Sequence, residues 1–237
     1  MNKLLTVTLA VALHVHSLGV AQEKATDPFA SATTVKSPIE DHFAIVPDEN
    51  GHAYFPKGDE SYYTYYLRKL SEPSLMHDHE RLTGFRFRFT WLRSFDDPIV
   101  IRVWQEGAVA YIRAVRITQH KDYTLGAVNH DKTRRLTDDE FDALRKQIDV
   151  PLMLRPLSDI EKTVQSGGAD GARWIFEIGV DRKYSMIDYW SPKDYGLKQY
   201  REMQYDVSKV RDPAIFARLG LWLLDFTKLR PNEDRLY

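Results

Sequence analysis

The most regular pattern along the chain is an alternation of apolar and polar side chains between residues 84 and 104. In GFRFRFTWLRSF, aromatic residues at every second position alternate with Arg86 and Arg88, which is the period of a β-strand. The segment PIVIRVW repeats this period and carries Arg102 and Trp104 on one side. The intervening Asp-Asp-Pro is typical of a turn, so the two strands are predicted to be antiparallel neighbours.

Further alternating segments predict the rest of the sheet. AVAYIRAVRIT is expected to form a third strand, and YTLGAVNHDKTRRLT a shorter strand or a hairpin around Asn129 to Lys132. ARWIFEIGV and KYSMIDYW flank Asp181-Arg182 and are predicted to form a hairpin. Its alternation places Trp174 and Glu177 on opposite faces.

Helical periods and capping residues occur before, between and after these strands. SYYTYYLRKL has apolar residues at i, i+3, i+4 and i+7, and Pro73 follows it. Capping patterns begin at Thr137, at Ser158 and at Asp212, where a proline follows directly. The order predicts an α+β fold, a mostly antiparallel sheet of five or six strands with helices packed on one face.

The first residues have the layout of a secretory signal peptide. Lys3 precedes the apolar run from Leu4 to Leu13, and Gly-Val-Ala ending at Ala21 is a small-residue cleavage site. We expect cleavage near Ala21 and a periplasmic or secreted bacterial protein. Residues 22–45 mix Ala, Ser, Thr, Pro and charge without a sustained period, so we expect a flexible tether before a single domain at 46–237.

Composition narrows the classes of function. Lys plus Arg is 33 and Asp plus Glu is 34, so the net charge of −1 gives no general attraction to nucleic acid or to an anionic membrane. The chain has no cysteine, which excludes disulfides, thiolate metal sites and a thiol nucleophile. We expect no cofactor, no nucleic-acid partner and no transmembrane segment after signal cleavage.

Four segments resemble a family of bacterial exported proteins that has no established activity. They are FTWLRSFDDPIVIRV, LTDDEF, DGARWIFEIGVDRKYSMIDYWSP and the terminal Tyr237. The shared features are an Arg-rich strand pair, an Asp-Gly-Ala-x-Trp-x-x-Glu strand and a Trp-x-Pro. The resemblance spans roughly residues 75–237, supports the fold and implies no catalytic residue.

The arginine side of the predicted strand pair is the first candidate ligand site. If the phenylalanine side packs on helices, Arg86, Arg88 and Arg102 share the opposite face. Their charges must be solvated, paired with carboxylates such as Glu177 or Asp188, or neutralised by an anionic ligand. A salt-bridged structural face is the simpler explanation of the same pattern.

Two further candidates use aromatic and histidine side chains. Trp104 and Tyr189 are predicted to fall on strand phases that share the arginine face, where they would stack on a sugar or peptide. In an extended HDHE segment, His77 and His79 would point the same way, about 6.6 Å apart. Two imidazoles fall short of the three ligands that a zinc site usually needs, so no metal site is assigned.

These observations lead to two functional hypotheses. The first is an exported, non-catalytic binding or accessory module of the cell envelope, which recognises an envelope protein or a small anionic ligand through the arginine face. The alternative is a periplasmic hydrolase that uses Glu177 and Asp188, or the histidine pair, because paired carboxylates or a metal can activate water.

Overall fold

A computed structural model of the chain describes residues 59–78, 83–122, 124–164, 171–193 and 196–231. The predicted signal peptide and tether lie outside the described residues. The helices are α1 (Asp59–Lys69), α2 (Leu75–Asp78), α3 (Asp138–Gln147), α4 (Val150–Leu154), α5 (Asp159–Val164), α6 (Leu197–Glu202) and α7 (Pro213–Phe226). The strands are β1 (Arg86–Arg93), β2 (Ile99–Glu106), β3 (Val109–Gln119), β4 (Leu125–Arg135), β5 (Ala172–Val180) and β6 (Lys183–Trp190).

The six strands form one antiparallel sheet in the order β4-β3-β2-β1-β5-β6. This confirms the predicted α+β class. The register places Arg88 beside Arg102 on one side and beside Glu177 on the other. Because side chains alternate along a strand, this register carries all three to the same face of the sheet.

The helix-covered face holds the larger core. The aromatic residues of β1 meet buried side chains of α3, α4 and α7, as the alternation predicted. Phe89 stacks on Phe176 with ring centroids 4.8 Å apart, and Trp91 lies 5.2 Å from Trp174. Large aromatic rings therefore fill the space between the central strands and the helices.

Helix α1 packs on the opposite face of the sheet. The predicted stripe, with Tyr63, Tyr66 and Leu67 in α1 and Leu70 directly after it, is buried against apolar side chains of the strands. The sequence predicts helices on one face; in the structure, α1 and α2 also pack on the other face. Both faces of β1 are consequently buried along its whole length.

Capping residues begin the helices where the sequence indicated. The Thr137 hydroxyl accepts from the Glu140 backbone, and the Glu140 carboxylate accepts from the Thr137 backbone, which completes the capping box. Asp212 accepts from the Ala214 backbone at the start of α7. Of the two alternatives for residues 125–135, a shorter strand or a hairpin around Asn129 to Lys132, the structure shows a strand, which is 11 residues long.

Within the part of the chain that the structure describes, no helix combines the length and the apolar character needed to cross a bilayer.

Close contact between α7 and the sheet depends on Gly220. A methyl group there would lie 2.5 Å from Cζ3 of Trp174 and 3.0 Å from Cζ of Phe89. We expect Gly220→Ala to lower the free energy of unfolding by about 1 kcal/mol, because overpacking outweighs the gain in helix propensity. Urea denaturation measures the change. Arg218→Ala, at an exposed position of the same helix, is the control, and a more stable Gly220→Ala protein would contradict this packing.

Candidate functional site

The arginine face of the sheet is closed by Glu72, which follows α1 in the segment leading to Pro73. Its carboxylate is fully buried and accepts from Nε of Arg102 at 2.8 Å and from Nη1 of Arg113 at 2.6 Å. Nη1 of Arg88 lies 3.8 Å from the same carboxylate. One acidic side chain from outside the sheet thus meets arginines of three neighbouring strands.

Arg88 and Glu177 form a second buried pair on the same face. Nε and Nη2 of Arg88 donate to the two Glu177 oxygens at 2.6 and 2.8 Å, a bidentate arrangement between adjacent strands. The Tyr184 hydroxyl also donates to Glu177 at 2.9 Å. Neither side chain has any solvent exposure, so this pair is part of the interior.

Arg113 links the buried pairs to the surface. Its Nε and Nη2 donate to the Asp131 carboxylate at 2.9 and 2.8 Å, and the Asp131 side chain is 45% exposed. Nη1 of Arg113 also donates to the Leu70 carbonyl at the end of α1. We call Glu72, Arg88, Arg102, Arg113 and Glu177 the arginine network. With Asp131 at its rim, its three guanidinium charges face three carboxylates.

Nearby carboxylates favour the charged forms of Arg88 and Arg113. Burial alone would lower the pKa of Arg88, but the hydrogen-bonded Glu177 carboxylate and the nearby Glu72 raise it above its ordinary value. Burial opposes the charge of Arg113 as well, and Asp131 and Glu72 raise its pKa in the same way. The network is therefore a set of ion pairs whose desolvation is offset by close, hydrogen-bonded partners.

The other predicted members lie around this network. Nη1 of Arg86 donates to the carbonyls of Phe85 and Gln105. The Trp104 indole lies 4.3 Å beneath the Arg102 guanidinium and donates to Glu106 at 2.6 Å. It is fully buried, so its stacking partner is an arginine of the chain and not an external sugar.

Asp188 lies toward the β6 edge of the arginine face. It accepts from Nη1 of Arg173 at 2.9 Å and from the Tyr63 hydroxyl of α1 at 3.4 Å. Asp188 and Tyr63 are both buried. This contact adds a second polar link between α1 and the sheet.

Two predicted placements need correction. Tyr189 lies on the helix-covered face, 5.2 Å from Phe216, because it directly follows Asp188 in β6 and so points to the opposite side. His77 is an exposed residue of the short helix α2, so the extended backbone assumed at this residue is wrong. His79 lies outside the described residues, among which no group of three or more metal-ligating side chains occurs.

Sequence reasoning missed Glu72 and Arg113. Arg113 had a usable signal, because the alternation of AVAYIRAVRIT places it in phase with Tyr111 and Val115 on a strand next to β2. Glu72 had none, since it stands in a connection with no period and reaches the sheet only through tertiary folding. A buried pair outside the arginine network, Glu161 with Arg211 at 2.8 Å, was also missed, although Ser158 caps α5 as predicted.

No family model, no curated protein and no solved structure matches the chain. The resemblance to exported proteins without an established activity stays a prediction.

Removing one charge from the arginine network is expected to have a large effect on the free energy of unfolding. Glu72→Gln keeps the shape of the side chain but removes the charge that faces Arg102 and Arg113. Because breaking a buried ion pair leaves an uncompensated charge, we expect the free energy of unfolding to fall by about 3 kcal/mol. Chemical denaturation followed by circular dichroism measures it.

A matched control is available on α6. Glu202 pairs with Lys198 at 3.7 Å, and both side chains are mostly exposed. Glu202→Gln should change the free energy of unfolding by less than about 0.5 kcal/mol, since solvent screens such pairs. Equal effects of the two substitutions would contradict a structural role for Glu72.

Proposed function

We propose that the chain is an exported, non-catalytic binding or accessory module of the bacterial cell envelope. The export part is supported by residues 1–21, whose basic start, apolar run and small-residue ending are typical of a signal peptide. Its partner would be an envelope protein or a small anionic ligand.

The state of Glu177 is the observation that carries the non-catalytic part. A catalytic carboxylate must reach a substrate or its water. Both Glu177 oxygens accept from Arg88, one of them accepts from Tyr184 as well, and the side chain is fully buried. Asp188 is buried beneath α1 and paired with Arg173, so this carboxylate pair supports an internal structural role better than hydrolysis.

The same contacts bear on where a partner would bind. Arg88 and Arg102 hold carboxylates of the chain itself and have no solvent exposure. An external anion would have to displace Glu72 and the adjoining α1 to reach them. The proposal therefore assigns partner contact to surfaces outside the arginine network.

Export is tested by expressing the full chain in a bacterium and analysing each cell fraction by mass spectrometry. We expect a periplasmic or secreted form that begins at Gln22. Val11→Arg places a charge in the apolar run and should block processing, whereas Val35→Arg, beyond the cleavage site, should not. An unprocessed cytoplasmic chain in both variants would contradict export.

Binding is tested by incubating the mature protein with isolated inner membranes, outer membranes and peptidoglycan, followed by sedimentation. The proposal expects saturable co-sedimentation with one of these fractions and no turnover in a panel of hydrolase substrates. Turnover abolished by Glu177→Gln would favour the hydrolase alternative. Protein that stays in every supernatant would contradict an envelope-binding role.

A further inference from the structure

A cluster of basic side chains that is only partly paired with carboxylates lies at the β4 edge of the helix-covered face. Arg116 of β3 stands directly opposite His130 of β4, and Lys132 lies two residues farther along the same strand. Residues two apart on a strand share a face, about 7 Å apart, and opposed residues on paired strands are closer still. We call Arg116, His130 and Lys132 the β4 cation site.

The placement of these side chains follows from the sheet register. Ala114 pairs with Lys132 and belongs to the core of the helix-covered face, so Lys132 and His130 point to that side. Lys132 is exposed, the Arg116 side chain is 37% exposed, and His130 is half-buried. The site is thus open at the margin of the sheet, in contrast with the buried arginine network.

The positive charge of the β4 cation site is only partly compensated by carboxylates. Nε of Arg116 lies 3.8 Å from Asp97 and donates to Asn129 at 2.7 Å. Asp97 in turn accepts from the Asn129 side chain and from the Gln119 backbone, so both of its oxygens are engaged. Lys132 forms no ion pair with any described residue. Asp97 therefore offsets one of the two permanent positive charges.

The next basic residue on this face of β4, Arg134, has its own partner. Arg134 donates to Glu140 at 2.8 Å and lies over the Phe226 ring. Because Arg134 is paired, the uncompensated positive charge on this face of β4 is confined to the β4 cation site. It also marks where the helix layer begins, since Glu140 belongs to α3 and Phe226 to α7.

His130 responds to the surrounding charge. Burial lowers its pKa, and the positive charges of Lys132 and Arg116 lower it further, against the opposing effect of Asp131 on the other face. Its Nε2 atom is buried and has no hydrogen-bond partner among the described residues. The surroundings thus favour the neutral imidazole, and an added negative charge nearby would favour its protonated form.

We propose that Arg116, His130 and Lys132 bind a phosphate group. A dianionic group compensates more than one positive charge, and its oxygens can accept from a guanidinium and an ammonium several ångströms apart. A protonated His130 adds a third positive charge. The proposal rests on the binding role proposed above and names the ligand chemistry and the surface.

The test is a titration of the full mature chain with inorganic phosphate at constant ionic strength, followed by NMR of the His130 ring. We expect saturable shifts with a Kd on the order of 1 mM and a higher pKa of His130 in the bound state. His130→Gln assigns the resonance. Sodium chloride at equal ionic strength should not reproduce the shifts.

Lys132→Gln is the decisive variant, and Lys146→Gln, at an exposed position on α3, is its matched control. Lys132→Gln removes one charge-assisted contact and should weaken phosphate binding about tenfold. Lys146→Gln should leave phosphate binding unchanged. Equal binding by both variants, or no saturable shift in the unmodified chain, would overturn the proposal.

A second arm distinguishes the source of the phosphate group. Vesicles of phosphatidylcholine with phosphatidylglycerol are sedimented with the same proteins. Binding that Lys132→Gln weakens assigns the site to a lipid headgroup, and phosphate binding without vesicle binding assigns it to a soluble phosphorylated ligand. Envelope co-sedimentation that survives in Lys132→Gln, without phosphate binding in the unmodified chain, would refute this site and leave the module function standing.

Discussion

The buried carboxylate of Glu72 is the contact on which the arrangement of this domain depends. It meets Arg102 and Arg113 directly and lies within 4 Å of Arg88, so it ties the end of α1 to three adjacent strands. Without it, a central sheet face would hold several guanidinium groups away from water with too few counter-charges. Such charges are costly to bury unless they are paired and hydrogen-bonded.

This constraint explains why a single sheet has two different cores. On the helix-covered face, stacked aromatic rings of β1 and β5 pack against α7, where Gly220 allows close approach. On the other face, apolar residues surround the arginine network, and α1 covers these residues together with the network. The hydrophobic stripe of α1 buries apolar surface against the sheet. Glu72 and Tyr63 form the polar contacts that fix where the helix lies.

Much of the fold could be predicted because its signals are local. Alternation located β1 and β2, and capping residues such as Thr137 located helix starts. The candidate site was only partly predictable. Alternation correctly placed Arg88, Arg102 and Glu177 on one face, but periodicity carries no information about what covers a face. The partner of those arginines lies in an aperiodic connection, and α4 and α6 are too short to give a sustained period.

The buried charged side chains have a structural role, whereas the proposed binding role belongs to exposed ones. Buried arginines hold carboxylates of the chain, whereas the less compensated cations stand at the exposed β4 edge. Lysine on an edge strand also discourages unwanted strand pairing, so Lys132 of β4 has this role besides the proposed phosphate contact.

Amide hydrogen exchange in α1 tests most directly whether Glu72 holds that helix on the sheet. In the unmodified chain, amides in the middle of α1 should be protected to a degree approaching those of β1. In Glu72→Gln, exchange should accelerate in α1 more than in β1, because the helix opens while the sheet stays formed. Equal acceleration in both elements, or unchanged protection of α1, would contradict the account.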